Sequence, residues 1–226
     1  MKNKGKLIVL EGSCDGIGKS TQYQKLYDRL VSEGYKVIRH HFPSYGTPQG
    51  EGVERYLRGN YGPINELSPY FINSLYAHDR AVTWYSNLKQ EYEDGKIILL
   101  DRYTTSSLIY QTANIEPLSK RQEIVDYLAD FEYHKLLIAE PDLVIFLTMP
   151  FDLATNLRNR RKENDGVVND IHESNLEFMR NVYDNSHFIA NHFNFAEVNC
   201  EENNDIRSIN DIHEEVYQKC LKVLKK

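Results

Sequence analysis

Apolar residues fall along this chain in two rhythms, a short continuous run and a three-to-four spacing, and their alternation predicts the fold. Leu7 to Leu10 is a continuous run, too short to span a bilayer; it breaks into small residues and ends in Gly18-Lys19-Ser20-Thr21 before a helical pattern. That order predicts a strand, a loop and a helix start. Tyr23, Leu26, Tyr27, Leu30 and Val31 recur at helical spacing until Glu33-Gly34 stops them. Tyr35 to Phe42 reads as a second strand, and Pro43 to Pro48 turns the chain out of it. A short helix over Val53 to Leu57 and a loop over Gly59 to Pro63 follow, and Ser68-Pro69 opens a long helix through Tyr76, Arg80 and Trp84 towards Asp94-Gly95. Lys96 to Leu100 is a nearly all-apolar third strand, expected at the centre of a sheet. Thr104 or Thr105 then caps a short helix carrying Ser107, Tyr110 and Gln111.

The remainder repeats the alternation. Ser119 to Ile138 is helical by pattern, Leu143 to Leu147 is a fourth strand, and a helix from Phe151 to Leu157 runs into the charged stretch Arg158 to Asp170. A helix from about Ile171 to His192, a weak fifth strand from Phe195 to Val198 and a last helix from about Ile209 complete the chain. Strands separated by helices of this length imply right-handed crossovers. The expected fold is α/β, a doubly wound five-stranded parallel sheet flanked by helices, as one domain over 1–226 with a short lid at about 158–170.

Charge and cysteine usage narrow the partners. A net charge of −6 and a pI near 5.8 leave no basic stripe to neutralise a nucleic-acid backbone, whereas a mononucleotide remains compatible. Cys14, Cys200 and Cys220 are widely separated and form no CxxC pair, as suits reduced thiols in a cytoplasmic protein. Too few apolar residues precede Glu11 for a signal-peptide core, and no run is long enough for a membrane span. The histidines show no zinc-binding spacing.

The chemistry concentrates at Leu7 to Thr21. A glycine-containing loop between strand and helix can turn backbone N–H groups onto phosphate oxygens, the helix start adds partial positive charge, and a lysine reaches the terminal phosphates. The loop therefore predicts nucleoside triphosphate binding through Ser13, Cys14, Asp15, Gly16, Ile17, Gly18, Lys19, Ser20 and Thr21. Gly12 stands six positions before Gly18, so either Ser13 takes the first-glycine place or the loop holds one extra residue. Ser20 and Asp101 are the expected Mg²⁺-organising groups, with ATP as the donor, and Arg102 can clamp a phosphate bidentately. Tyr76 and Arg80 are four apart and share a helix face, where a ring can stack on a base and a guanidinium can donate to its carbonyl; taken alone, they also suit a core ring and a solvated arginine. The arginine-rich stretch from Arg158 fits a mobile lid that brings cations to a transferring phosphoryl group, and equally a hydrated helix end.

LEGSCDGIGKSTQ, FPSYG from Phe42, YAHDR from Tyr76 to Arg80 and DRYTTSSLIYQ from Asp101 to Gln111 together resemble the thymidylate kinases, P-loop nucleoside monophosphate kinases, over nearly the whole chain. The resemblance implies transfer of the γ-phosphoryl of MgATP to dTMP, giving dTDP and ADP, usually by a homodimer. It implies that Asp15 meets the acceptor's 3′-hydroxyl, Tyr76 stacks on the base, Arg80 bonds its carbonyl and Arg102 holds the acceptor phosphate. Ser107 would lie near the base, Tyr110 below the sugar, and Phe42, Tyr45 and Gln111 in the same acceptor site. Tyr45 stands where some members carry a phosphate-binding arginine. Gly16 stands where some carry a catalytic one, which resembles the subgroup whose arginines come from the lid, here Arg160 or Arg161, acting with Lys19 and Arg102. Kinases of dUMP or UMP are the nearest alternative. A non-catalytic P-loop switch would want a DxxG and an NKxD that do not appear outside the loop.

Overall fold

β1 (Lys6–Gly12) is apolar on both faces because it is covered on both: Ile8 and Leu10 point into one core, Leu7 and Val9 into the other. The structure, a computed structural model, describes residues 4–165 and 175–225, with 160–165 as backbone only. After β1 come α1 (Lys19–Ser32), β2 (Val37–His41), α2 (Glu51–Leu57), α3 (Pro69–Thr83), a π-helical turn (Trp84–Leu88) and α4 (Lys89–Glu93). Next are β3 (Ile97–Asp101), α5 (Thr104–Thr112), α6 (Leu118–Asp130) with a second π turn (Phe131–Lys135), β4 (Leu143–Thr148) and α7 (Phe151–Asp165). α8 (Leu176–His192), β5 (Ala196–Asn199), a small hairpin of β6 (Glu201–Glu202) and β7 (Asp205–Ile206), and α9 (Ile209–Leu224) follow.

The five strands β1 to β5 form one parallel sheet in the order β2-β3-β1-β4-β5. Leu26 and Leu30 of α1 and Ile212 and Val216 of α9 cover the face carrying Ile8, Leu10, Leu99 and Leu147. Trp84, Leu88, Phe42 and Tyr103 cover the face carrying Leu7, Val9, Ile98 and Leu100. α5, α6 and α8 pack into a third cluster through Leu108, Ile124, Leu128, Met179 and Val182. Register pairs Asp101 with Leu10 on one side and with His41 on the other, so the phosphate loop and Asp101 leave the sheet together at its carboxyl edge. Among the described residues no helix is long and apolar enough to cross a membrane.

Several elements depart from the sequence reading. The helix expected from Ser68 to Asp94 is divided by the turn at Trp84–Leu88, which shifts the register by one residue while both end residues pack on the sheet. Ser68 does cap α3, accepting from the Tyr70 N–H at 3.3 Å. Neither Thr104 nor Thr105 caps α5: Tyr103 is its N-cap, and both hydroxyls donate to buried carboxylates instead. The helix from Phe151 continues past Leu157 to Asp165. The expected lid residues 166–170 and the start of the next helix at Ile171 lie outside the described residues, as do the side chains of Arg160 and Arg161. The β6–β7 hairpin was not expected; Asn203 and Asn204, at φ 55° and 62°, supply its two left-handed turn residues.

Candidate active site

The phosphate loop is built by two glycines in left-handed backbone and a seat on α7. Ser13 still belongs to the strand end, its N–H donating to the Leu147 carbonyl at 2.9 Å; it therefore holds the first-glycine place, five positions before Gly18. Gly16 (φ 87°) and Gly18 (φ 91°) adopt backbone that a Cβ disfavours. At Gly16 an added Cβ would also lie 2.9 Å from Arg158 Cβ and 3.1 Å from the Ala154 carbonyl oxygen, so only glycine lets α7 rest on the loop. That contact brings Arg158 to the loop, where its Nε is buried with no hydrogen-bond partner among the described residues. Gly18 caps α1, and Lys19 begins it.

Lys19 Nζ is paired with Asp101 Oδ1, and His41 Nδ1 lies 3.1 Å from Asp101 Oδ2. Burial alone would raise the Asp101 pKa, but the His41 hydrogen bond and the Lys19 charge outweigh it and hold the carboxyl below its ordinary value. Burial and the neighbouring Arg102 charge push the Lys19 pKa down as well, below the ordinary ammonium value.

Arg102 follows β3 in left-handed backbone (φ 66°), a conformation that costs a non-glycine residue roughly 1–2 kcal/mol. Its Nη2 donates to Asp15 Oδ1 at 2.7 Å, Nη1 lies 3.5 Å from the Tyr110 hydroxyl, and Glu11 Oε1 is 3.8 Å away. Burial works against the charge, yet Tyr110, Asp15 and Glu11 raise the Arg102 pKa overall. Glu11 is itself wholly buried and accepts from Thr105 Oγ1 at 2.9 Å and Ser106 Oγ at 2.5 Å, which ties β1 to the start of α5.

Two pockets meet at this arginine. One is lined by the loop from Cys14 to Ser20 with His41 and Asp101; Ser13 and Thr21 stand outside its lining. The other holds about 590 Å³ of free space, part of it open to solvent, between Phe42, Tyr76, Arg80, Ser107, Tyr110 and Gln111. Asp15, Pro43, Tyr45 and Arg102 line both. All nine residues expected around the acceptor thus face one cleft, although they come from the loop, the turn after β2, α3, the end of β3 and α5.

The cleft's inner end is ionic. Arg80 is 1% exposed, which excludes the solvated role that its spacing allowed, and it donates to Glu132 from Nε at 2.6 Å and from Nη2 at 2.7 Å. Nη2 also donates to Ser107 Oγ at 2.7 Å. Burial would lower the Arg80 pKa, but the charge and hydrogen bonds of Glu132 raise it overall. The preceding residue, Asp79, accepts from the Ser44 N–H at 2.7 Å and so pins the FPSYG turn to α3.

Glu11, His41, Asp79 and Glu132 were absent from the expected site. Glu132 had left a signal: it continues the buried stripe of Ile124, Val125 and Leu128, where an acid is out of place. The Glu11 and Glu132 partners lie far away in sequence and left no spacing to read.

Comparison with known proteins adds an independent result. A family model described as thymidylate kinase matches residues 10–216. The thymidylate kinase of Halothermothrix orenii is 30% identical over 216 residues, 96% of each chain. That of Caldicellulosiruptor saccharolyticus is 30% identical over 225 residues, 98% of this chain and 96% of its own. That of Brachyspira hyodysenteriae is 35% identical over 153 residues, 68% of each.

Proposed function

Since the chain belongs to the thymidylate kinase family, we propose that its two adjoining pockets hold the two substrates of that reaction, ATP on the phosphate loop and dTMP in the aromatic cleft. The enzyme phosphorylates dTMP to dTDP in the synthesis of dTTP, as an ATP-dependent nucleoside monophosphate kinase. The observation that carries the substrate assignment is the wall common to both pockets, because phosphoryl transfer needs donor and acceptor phosphates side by side on shared cations.

In this reading the loop N–H groups and Lys19 bind the β- and γ-phosphates, and Arg102 bridges the acceptor phosphate and the transferring group. Asp15, released from Arg102 by the acceptor phosphate, becomes free to accept from the 3′-hydroxyl. Tyr76 and Phe42 enclose the base, Arg80 and Ser107 address its polar edge, and Gln111 and Tyr45 complete the cleft. Tyr110 faces the sugar, where its ring disfavours a 2′-hydroxyl. Catalysis is positioning and charge stabilisation, without a covalent enzyme intermediate. Ser20 and the ionised Asp101 are hard oxygen donors on the same pocket and suit Mg²⁺. When bound with ATP, that ion neutralises charge on the phosphate oxygens.

Arg158 supports a lid that starts at the loop, with Arg160 or Arg161 supplying the cation that Gly16 does not. Tyr70 and Tyr127, exposed and edge-to-face at 4.8 Å, suit a homodimer surface, which light scattering at micromolar concentration checks. Buried free thiols at Cys14, Cys200 and Cys220 suit a cytoplasmic setting.

The test is coupled ADP release across dTMP, dUMP, UMP, dCMP and AMP. We expect dTMP over dUMP by roughly 10- to 200-fold, the range one methyl group supplies in an apolar pocket, with UMP lower still. Equal kcat/KM for dTMP and UMP would overturn both the base and the sugar assignments.

A further inference from the structure

Glu132 belongs to neither the phosphate loop nor the motif helices, yet its carboxylate is spent on a residue of the acceptor cleft. An apolar side chain at this position on the α6 stripe would bury without electrostatic cost, whereas a carboxylate needs partners for its charge. It has three: Arg80 Nε and Nη2, and Thr104 Oγ1, which reaches the same oxygen as Nε at 2.9 Å. Two parallel bonds to one carboxylate fix the plane of a guanidinium as well as its place.

The donor count shows what that plane leaves over. Arg80 has five N–H groups. Nε uses its one on Glu132, and Nη2 uses two on Glu132 and Ser107, with Asn73 Oδ1 at a longer 3.4 Å. Nη1, the nitrogen turned away from the carboxylate, has only the Tyr103 carbonyl at 3.4 Å. One Nη1 N–H is therefore without an acceptor among the described residues, on a side chain that lines the cleft. Ser107 and Asn73 alone are single-point contacts and would let the guanidinium turn; the Glu132 fork does not.

We propose that Glu132 is a positioning residue for base recognition, holding Arg80 in the plane where Nη1 presents an N–H to a ring carbonyl, so that a 4-keto pyrimidine is chosen over a 4-amino one by a carboxylate that never touches the substrate. The inference rests on the assignment of Arg80 to the base and adds the group that makes it selective. A purely structural ion pair would affect stability and would not alter the choice between two bases that differ only in the group at position 4.

The experiment compares kcat/KM for dTMP and 5-methyl-dCMP, which keeps the methyl group and exchanges only the 4-keto for a 4-amino group. Glu132→Gln keeps the size but sets an amide N–H₂ beside guanidinium donors. The dTMP/5-methyl-dCMP ratio should fall by at least about 10-fold through a higher KM for dTMP, with the KM for ATP within about twofold of wild type. Glu132→Asp, charged but one methylene shorter, should regain part of the ratio. The double variant Arg80→Met with Glu132→Leu leaves no unpaired buried charge and sets the floor of discrimination. If folded Glu132→Gln keeps the wild-type ratio while the double variant loses it, Arg80 reads the base without Glu132 and the proposal fails alone. If the double variant also keeps the ratio, the Arg80 assignment fails and takes the proposal with it. Should Glu132→Gln not fold, Thr104→Val replaces it: a smaller fall in the same ratio supports the proposal, and an unchanged ratio overturns it.

Discussion

Changing Gly16 to alanine puts a methyl group into the joint between the phosphate loop and α7, and Gly18→Ala provides its internal control. Both glycines are left-handed, at φ 87° and 91°, so either alanine pays roughly 1–2 kcal/mol of backbone strain. Each recovers about 0.4–1 kcal/mol from a less flexible unfolded chain. The surroundings differ: the new carbon at Gly16 meets Arg158 Cβ at 2.9 Å and a backbone oxygen at 3.1 Å, whereas at Gly18 nothing lies within 4 Å. Overpacking of this kind costs about 1–3 kcal/mol, and a backbone oxygen cannot rotate away as a side chain can. Gly16→Ala should therefore be less stable than Gly18→Ala by that amount, a gap of roughly 2–12 °C in Tm for a chain of this length. Thermal unfolding followed by circular dichroism reads the difference. Stability is the right comparison, because Gly18 also lines the pocket proposed for ATP, where a methyl would affect turnover directly. Equal Tm values would mean that α7 does not rest on the loop, and the route by which Arg158 reaches it would have to be abandoned.

Two further outcomes follow from the cations. Lys19→Ala should stay folded but lose at least about 10²- to 10³-fold in kcat, since a preorganised charge at the transferring group is removed; near-normal ATP- and Mg²⁺-dependent turnover by the folded variant would remove the phosphate-loop assignment. Of Arg158→Ala, Arg160→Ala and Arg161→Ala, made separately, at least one should lower kcat at saturating substrates by about 10³- to 10⁵-fold with little change in dTMP affinity; three normal values would end the lid reading.

Much of this molecule was legible because the deciding signals are local. The apolar runs at Leu7, Lys96 and Leu143 mark strands covered on both faces, and they are the three central strands of the sheet. The loop residues and the DRY motif sit at strand ends by sequence position alone. What could not be read depended on distant partners or on a small backbone adjustment. Thr104 and Thr105 looked like caps because a hydroxyl at a helix start usually finds a backbone N–H, but Glu132 and Glu11, 28 and 94 residues away, accept from them first. Arg80 alone suited solvent as well as a base, and only Glu132 decides that it is buried. The π turns at Trp84–Leu88 and Phe131–Lys135 shift helical register without interrupting it, so a periodic pattern passes over them.

With ATP and dTMP in the two pockets as proposed, the wall formed by Arg102, Asp15, Pro43 and Tyr45 binds the two affinities into one quantity. Whatever factor dTMP applies to the dissociation constant of ATP, ATP must apply to that of dTMP, since both orders of filling close the same thermodynamic cycle. A substitution at Arg102 consequently cannot be read as an acceptor variant or a donor variant. It changes two isotherms and the coupling between them, and only titrating each nucleotide in the presence and absence of a non-reactive analogue of the other separates the three.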